Sequence, residues 1–465
     1  MALEHIHSRA ILTCSRFLFR LEASEYLAFS PQHTNLNIFR LRSMYLPASS
    51  AAAMNPTLPA MVSTSDPYPL ATLREQFRRP SDVMSVLLLI GGEVIRRALA
   101  QLSGRTIAPV AFSFGWVNYA VTLVALGENK LMPPPDSSGL VINSKSGYVR
   151  QNNSWILGRI IRDYEYWRDE RILKAERKFL EEARLQPLGT EAGANFYEPH
   201  VALSVAIYEV SANPRRRARV PDLDWLYYSG VLCAVVQLGV AAIPWWKWGD
   251  WAILMTTAIG ITFALASGSL PQWKEEKFNC RKGIAKTVTL TRGNGHQDGC
   301  VVILGGEGGL DLEDLATGRG FDKPTTRIYT SIMAALWIAL LIAVSGLKEN
   351  TWFLLVVGII GMLQNALVCR AERSPSAFGI HLEYKETIVD GKVMKTLMKL
   401  EETYPHVGRS LLETYFPGKL RAEEEQWWEQ AKKKAKMGAG PKPQQAQEAP
   451  CGEGVQGGLG KVVKS

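Results

Sequence analysis

The residues best placed for chemistry lie between positions 300 and 314. Gly305-Gly306-Glu307-Gly308-Gly309 follows the β-branched run from Cys300 to Leu304 and precedes a short helical pattern, a setting in which backbone N–H groups can cradle phosphate. The Lys-Ser/Thr pair of a nucleotide-binding loop and the GxGxxG spacing are both missing, so the expected role is a flexible turn. Asp311, Glu313 and Asp314 could offer carboxylates to a hard cation, but they lack EF-hand spacing and read as a solvated helix start. Of the seven histidines, His5, His7 and His33 sit near the N-terminus and His200, His296, His381 and His406 are isolated. No HExxH, GxSxG or Cys-His signature is present. The six cysteines (Cys14, Cys233, Cys280, Cys300, Cys369 and Cys451) form no CxxC pair, which argues against a disulfide framework or a zinc site. The expectation is a non-catalytic protein with no cofactor and no metal. A membrane-bound enzyme whose groups meet only in space is the further alternative.

Two other groups of polar residues attract attention because of where they lie. Gln237, Gln364 and Asn365 fall inside long apolar runs that carry no charge. Intramembrane ionisable residues mark ion or substrate pathways, and these runs have none. Their amides, with Asn118, Thr256, Thr257 and Thr262, are expected to hydrogen-bond between helices, aided by small residues such as Gly230, Gly239, Gly260, Ala264, Gly268, Gly358 and Gly361. The same small-residue faces suit protein partners or a homo-oligomer. A conduit for a small neutral solute is the alternative. The second group is Arg215, Arg216, Arg217 and Arg219, next to the first apolar run. The net charge of +9 arises from 53 Lys and Arg against 44 Asp and Glu, and much of it gathers beside membrane ends. The first expectation for these arginines is topology anchoring alone; the alternative is recognition of anionic lipid head groups, a nearer partner than nucleic acid at about 1 kcal/mol per basic residue.

The elements that must position these residues are two hydrophobic hairpins. Trp225 to Trp246 folds back on Trp251 to Trp273, and Ile328 to Leu347 folds back on Asn350 to Cys369. Each run reaches the roughly 20 residues needed to cross hydrocarbon, and only a helix satisfies its own backbone there. Thr106 to Gly127 reads as a fifth span, with Pro109 in its first turn. Ahead of it, Val83 to Leu102 reads as an amphipathic helix in which Val83, Leu87, Ile90 and Val94 share one face and Glu93, Arg96 and Arg97 another. If that helix crosses as well, the count becomes six. Lys and Arg flank both hairpins and each hairpin turn holds a single Lys, so the turns face away from the cytosol and the C-terminus lies inside it.

The expected fold is an α-helical multi-pass membrane protein of the plasma membrane or an endomembrane, with five or six transmembrane helices and small mixed α/β cytosolic segments. Residues 1–82 read as disordered, as a transit peptide, or as an over-extended reading frame ahead of Met54. Residues 83–127 hold the amphipathic helix and first span, 128–224 a cytosolic helical segment, and 225–273 the first hairpin. Next come 274–327, a cytosolic loop with a small β-hairpin, and 328–369, the second hairpin. Residues 370–437 form a cytosolic C-terminal segment and 438–465 a disordered tail rich in Gly, Pro and Gln. Within these segments, Ser154 to Gln186 reads as one long helix and Ala422 to Lys436 as a charged one. A β-hairpin is expected about Gly293-Asn294-Gly295. Around Asp390-Gly391 either a hairpin or a strand followed by a helix fits.

Several strings resemble multi-pass integral membrane proteins of filamentous fungi. They are AFSFGWVNYA at 111 to 120, GENKLMPPPD at 127 to 136, SGYVR at 146 to 150, LTRGNG at 290 to 295, GLDLEDLA at 309 to 316 and YPHVGRSLLETYFPGKL at 404 to 420. The resemblance covers about residues 80 to 436. It implies a fungal membrane protein and brings no activity, cofactor or catalytic residue with it.

Overall fold

A helix bundle and a six-stranded sheet share the described chain. The structure, a computed structural model, describes residues 81–125, 130–185, 200–211, 213, 216–281, 286–294, 300–306, 308–320, 323–347 and 349–438. The readings of 1–80, of the 439–465 tail and of Arg215 lie outside these residues. So do the side chains of Val83, Leu87 and Ile90.

The bundle begins with α1 (Ser81–Leu102) and α2 (Gly115–Ala125). The first hairpin is α5 (Trp225–Trp248) and α6 (Ala252–Gly268), the latter bent by 40° from a short α7 (Pro271–Lys277). The second is α8 (Pro324–Ser345) and α9 (Thr351–Arg370). Three of these helices, α5, α8 and α9, are long and apolar enough to cross a membrane, and α6 with α7 makes a fourth if the bent pair is one span. Such helices belong to a membrane-embedded protein. Gly249, at φ +72°, closes α5 in the left-handed conformation that glycine adopts without strain. Large apolar side chains such as Leu232, Val235 and Ile342 remain exposed on the outer surface, where lipid is the natural solvent.

The expected span from Thr106 to Gly127 does not form as one helix. Only Gly115–Ala125 is helical, an element about 16 Å long at roughly 1.5 Å per residue and too short to cross alone. Residues 105–113 carry no helix, and Ala108 and Val110 to Phe114 are buried. Pro109 lacks an N–H and restrains the residue before it away from helical geometry, which favours this extended path.

The sheet draws one or more strands from each segment that the hairpins separate. Its strands are β1 (Leu140–Asn143), β2 (Val149–Gln151), β3 (Leu203–Val210), β4 (Val288–Thr291), β5 (Cys300–Leu304) and β6 (Leu382–Asp390). Their order is β2-β1-β4-β5-β3-β6, antiparallel except for β3 beside β5. The expected hairpin about Gly293 is β4 paired with β5, Val288 opposite Ile303. After Asp390 the chain turns into helix α10 (Val393–Thr403) rather than a second hairpin strand, because Val393, Leu397 and Leu400 repeat at helical spacing.

Both faces of the sheet are covered. Val205, Ile207, Cys300 and Val302 pack against Leu397 and Leu400 of α10 and Trp428 of α11 (Ala422–Gly438). Ala206, Tyr208, Leu290 and Ile303 face the side that joins the bundle core. The long helix expected from Ser154 to Gln186 breaks into α3 (Trp155–Arg162), one turn at Tyr164–Trp167, and α4 (Glu170–Leu185). At the first break the buried Asp163 carboxylate pairs with Arg159 and Arg162, and at the second the backbone turns extended at Arg168, with ψ +143°.

Candidate functional site

Extended backbone inside an apolar bundle has no neighbouring strand, so its polar groups need other partners. Here they come from the amides singled out in the sequence. Asn365 on α9 accepts from the Ala111 N–H at 3.1 Å and donates to the Ala111 carbonyl at 3.0 Å and to Ser113 Oγ at 3.3 Å. Gln237 on α5 donates from Nε2 to the Phe112 carbonyl at 2.7 Å and the Val357 carbonyl at 2.9 Å. Both residues are fully buried. Gln364, beside Asn365, donates to Ser229 Oγ at 2.8 Å and so links α9 to α5, as expected. Gln237 and Asn365 do something the sequence reading missed: they pair a non-helical thread. Thr257 and Thr262 bond back to Ile253 and Ala258 of their own helix.

The glycines follow the same logic. A Cβ on Gly361 would overlap the Phe112 carbonyl, and one on Gly230 the Pro109 carbonyl. On Gly260 it would strike the Phe112 ring, and on Gly358 the Phe114 ring. These faces admit the chain's own backbone and aromatic rings. Gly239, by contrast, has open space. Trp337 of α8 stacks between Phe112 and Trp116, with ring centroids 6.1 and 5.6 Å away, and the Trp116 indole donates to the Ala111 carbonyl at 2.9 Å.

The two flanks of the thread return to the same place. Lys277 donates to the carbonyls of Ala100 and Ser103 at 2.8 and 2.6 Å, while the adjacent Glu276 accepts from the Leu131 and Met132 N–H groups at 2.8 and 3.0 Å. The segment therefore enters and leaves at one end of the bundle. In between it reaches Gln237, near the middle of α5.

That end is built from buried charge. Arg159 is fully buried; it donates to Asp136 at 2.9 Å and to the carbonyls of Cys369 and Ala371 at 3.2 and 2.7 Å, in the last turn of α9 and just after it. Burial lowers its pKa, against the opposing pull of Asp163. Arg373 grips Asp224 through two nitrogens at 2.7 and 3.0 Å and donates to the Gln101 carbonyl. Arg96 donates to the carbonyls of Lys130 and Leu131. Cations at helix C-termini satisfy orphan carbonyls and match the helix dipole. Several charges that looked like topology markers are thus internal caps.

The basic stretch divides. Arg216 and Arg217 are exposed, while Arg219, at φ +70°, turns inward to donate to the Cys280 carbonyl at 2.5 Å. Arg216 lines a cleft with Ser211, Lys286, Gly308, Gly309 and His381. Asp311 and Glu313 serve as partners of Lys286, at 3.2 and 2.7 Å, and Asp311 caps the turn after it by accepting from the Asp314 N–H. Burial pushes the Glu313 carboxyl up, but hydrogen bonds from Lys286 and Asn143 outweigh it and hold it below its ordinary value. Among the described residues no cluster of His, Cys, Asp and Glu is suited to a metal ion. Burial pushes the Cys300 thiol up to about 12, which suits a core residue and not a nucleophile.

Fold and site together define a membrane-embedded helical bundle, filled by its own backbone and joined through buried cations to a mixed sheet. No protein family, curated protein or solved structure matches the chain.

Proposed function

We propose that this is an integral membrane protein that works through contacts of its sheet-bearing side with anionic lipid head groups and protein partners, without catalysis. The observation that carries this reading is the thread. It occupies the bundle interior, and it engages Gln237 and Asn365, the amides that a polar path would have used. The exposed arginines Arg216 and Arg217 lie just before α5, followed by Val220, Leu223 and Trp225, which are exposed as well. That order, basic and then apolar, suits the surface of an anionic leaflet.

In this reading α5, α6 with α7, α8 and α9 cross the membrane, α1 adds a fifth crossing, and the thread with α2 is a re-entrant loop. The sheet side is cytosolic, in the plasma membrane or an endomembrane. The loop places Arg96 and Arg105 on the same side as Lys130, which removes the conflict that a spanning Thr106–Gly127 helix creates with the charge rule. The fifth crossing rests on α1 alone, so Asp82 is the decisive position to label. Single cysteines at Asp82, Gly249 and Lys348 should react from the outer side only; labelling of Gly249 or Lys348 from the cytosol would reverse the orientation. We also propose kinship with the fungal membrane proteins that the chain resembles.

Purification from native membranes, with identification of co-purifying lipids and proteins, tests the function directly. Recovery of nothing specific would remove its support. Conduction of a small neutral solute is the second reading, favoured by the Gln237 Oε1, which is buried without a hydrogen-bond partner among the described residues. Solute flux through reconstituted vesicles that changes in Gln237→Leu would establish it and sink the first.

A further inference from the structure

We propose that the cleft between Gly308-Gly309 and the approach to β6 binds a phosphate monoester, presented by the head group of an anionic lipid at the adjacent membrane surface. This rests on the reading that the sheet-bearing side contacts anionic lipid, and it names the site and the chemistry. The cleft brings together two sequence features that seemed unrelated, the arginine stretch and the glycine loop. It is a shallow cleft, open to solvent and with a cavity volume of about 30 Å³, over an apolar floor that includes Ile303 and Leu310.

The charges at its rim are unequal. Lys286 already carries Asp311 and Glu313 at 3.2 and 2.7 Å, so its ammonium is more than neutralised and is not the cation of the site. The Arg216 guanidinium has no side-chain partner among the described residues. It is a fixed fork of donors of the geometry that phosphate oxygens match. Opposite it, Gly308 has φ +80° and open space where a Cβ would stand, so its backbone can be approached closely. His381 is 5% exposed; its Nε2 lies 3.2 Å from the Val220 carbonyl and so carries the proton. Its Nδ1 is buried with no hydrogen-bond partner among the described residues, the Asp222 carboxylate standing 3.8 Å away. A phosphate between Arg216 and the glycine backbone would supply the missing counter-charge.

Location argues for a lipid as the source. Arg216 is followed by Val220 and Leu223, each 40% exposed, and then by Trp225 at the start of α5. A head group seated in the cleft would leave its acyl chains beside those residues.

The test uses the full-length protein in detergent, titrated calorimetrically with dioctanoyl phosphatidic acid, dioctanoyl phosphatidylcholine and inorganic phosphate. Gly308→Asp places a carboxylate in the open part of the cleft, while Gly308→Asn keeps the shape without the charge, and both side chains tolerate positive φ. Phosphatidic acid should bind in preference to phosphatidylcholine; Arg216→Gln and Gly308→Asp should each weaken it about tenfold or more, with Gly308→Asn within about twofold of the parent. Thermal melting of each variant verifies that it is folded. If inorganic phosphate binds as tightly as phosphatidic acid and Arg216→Gln abolishes both, the occupant is free phosphate and the lipid source is overturned. If Arg217→Gln weakens binding as much as Arg216→Gln while Gly308→Asp does nothing, attraction is diffuse; the cleft fails and the membrane-contact reading stands. If phosphatidic acid shows no advantage over phosphatidylcholine in the parent protein, both fall.

Discussion

The middle of the bundle and its sheet-side end face the same problem and solve it with different chemistry. Each contains backbone carbonyls that no helix can satisfy: Ala111 and Phe112 in the thread, and Ala100, Cys369 and Ala371 at helix ends. In the middle the donors are neutral amides, Asn365 and Gln237. At the end they are the Lys277 amine and the Arg159 guanidinium, the latter with Asp136 and Asp163 as its counter-charges. A charge far from water is costly, whereas at a helix C-terminus the dipole and nearby carboxylates offset much of that cost. Depth, then, selects the donor.

The comparison breaks most visibly if the ends and the middle respond alike to the wrong chemistry. Arg159→Met removes the cation and leaves two carbonyls and the buried Asp163 short of a partner, so it should destabilise by about 3–5 kcal/mol, as broken buried ion pairs do. Arg162, which also pairs with Asp163, places the expectation at the lower end. Gln237→Lys offers donors to the same two carbonyls but brings a charge to mid-bundle, and should cost about 3 kcal/mol. Melting in detergent measures both. A Gln237→Lys protein as stable as the parent would show that depth does not decide the donor.

Glycine sharpens the contrast within the bundle itself. Gly361→Ala places a methyl against the Phe112 carbonyl and should cost about 1–3 kcal/mol through overpacking. Gly239→Ala meets nothing and should gain up to about 1 kcal/mol of helix propensity. Equal melting temperatures for the two would mean that the thread does not occupy its glycine seats.

These residues also show what a sequence can carry. The hairpins were legible because an uninterrupted apolar run of twenty residues has one stable form in hydrocarbon, and the β4–β5 hairpin because glycine punctuates two β-branched runs. Gln237, Gln364 and Asn365 were visible as polar exceptions in those runs. Their partner was not, since Ala108 to Phe114 is as apolar as a helix and only Pro109 hints at another path. Nor could Arg159 be told from a surface arginine, because its burial depends on Asp136 and on carbonyls about 210 positions away. The single sheet was illegible for the same reason: β3 pairs with β5 and β6 across whole hairpins.

The smallest effect should come from the outermost charges. Lys286 and Glu313 form an ion pair near the surface, where such pairs contribute about 0–1 kcal/mol. The Glu313 hydrogen bond raises the Lys286 pKa, while Lys286 and Asn143 hold Glu313 below its ordinary 4.5 in spite of burial. A depressed carboxyl contributes stability above its unfolded value and loses it as pH falls through the lower folded one; a raised ammonium contributes below 10.5 and loses it as pH rises through its folded value. The pair should therefore add a shallow plateau of stability between those limits, one that Glu313→Gln flattens at its acidic edge. Melting temperature followed against pH measures it. If Glu313→Gln instead lowers stability by as much as Arg159→Met, the outer pair holds the fold as firmly as the buried caps do, and the gradient from neutral amide to buried cation to screened surface pair is wrong.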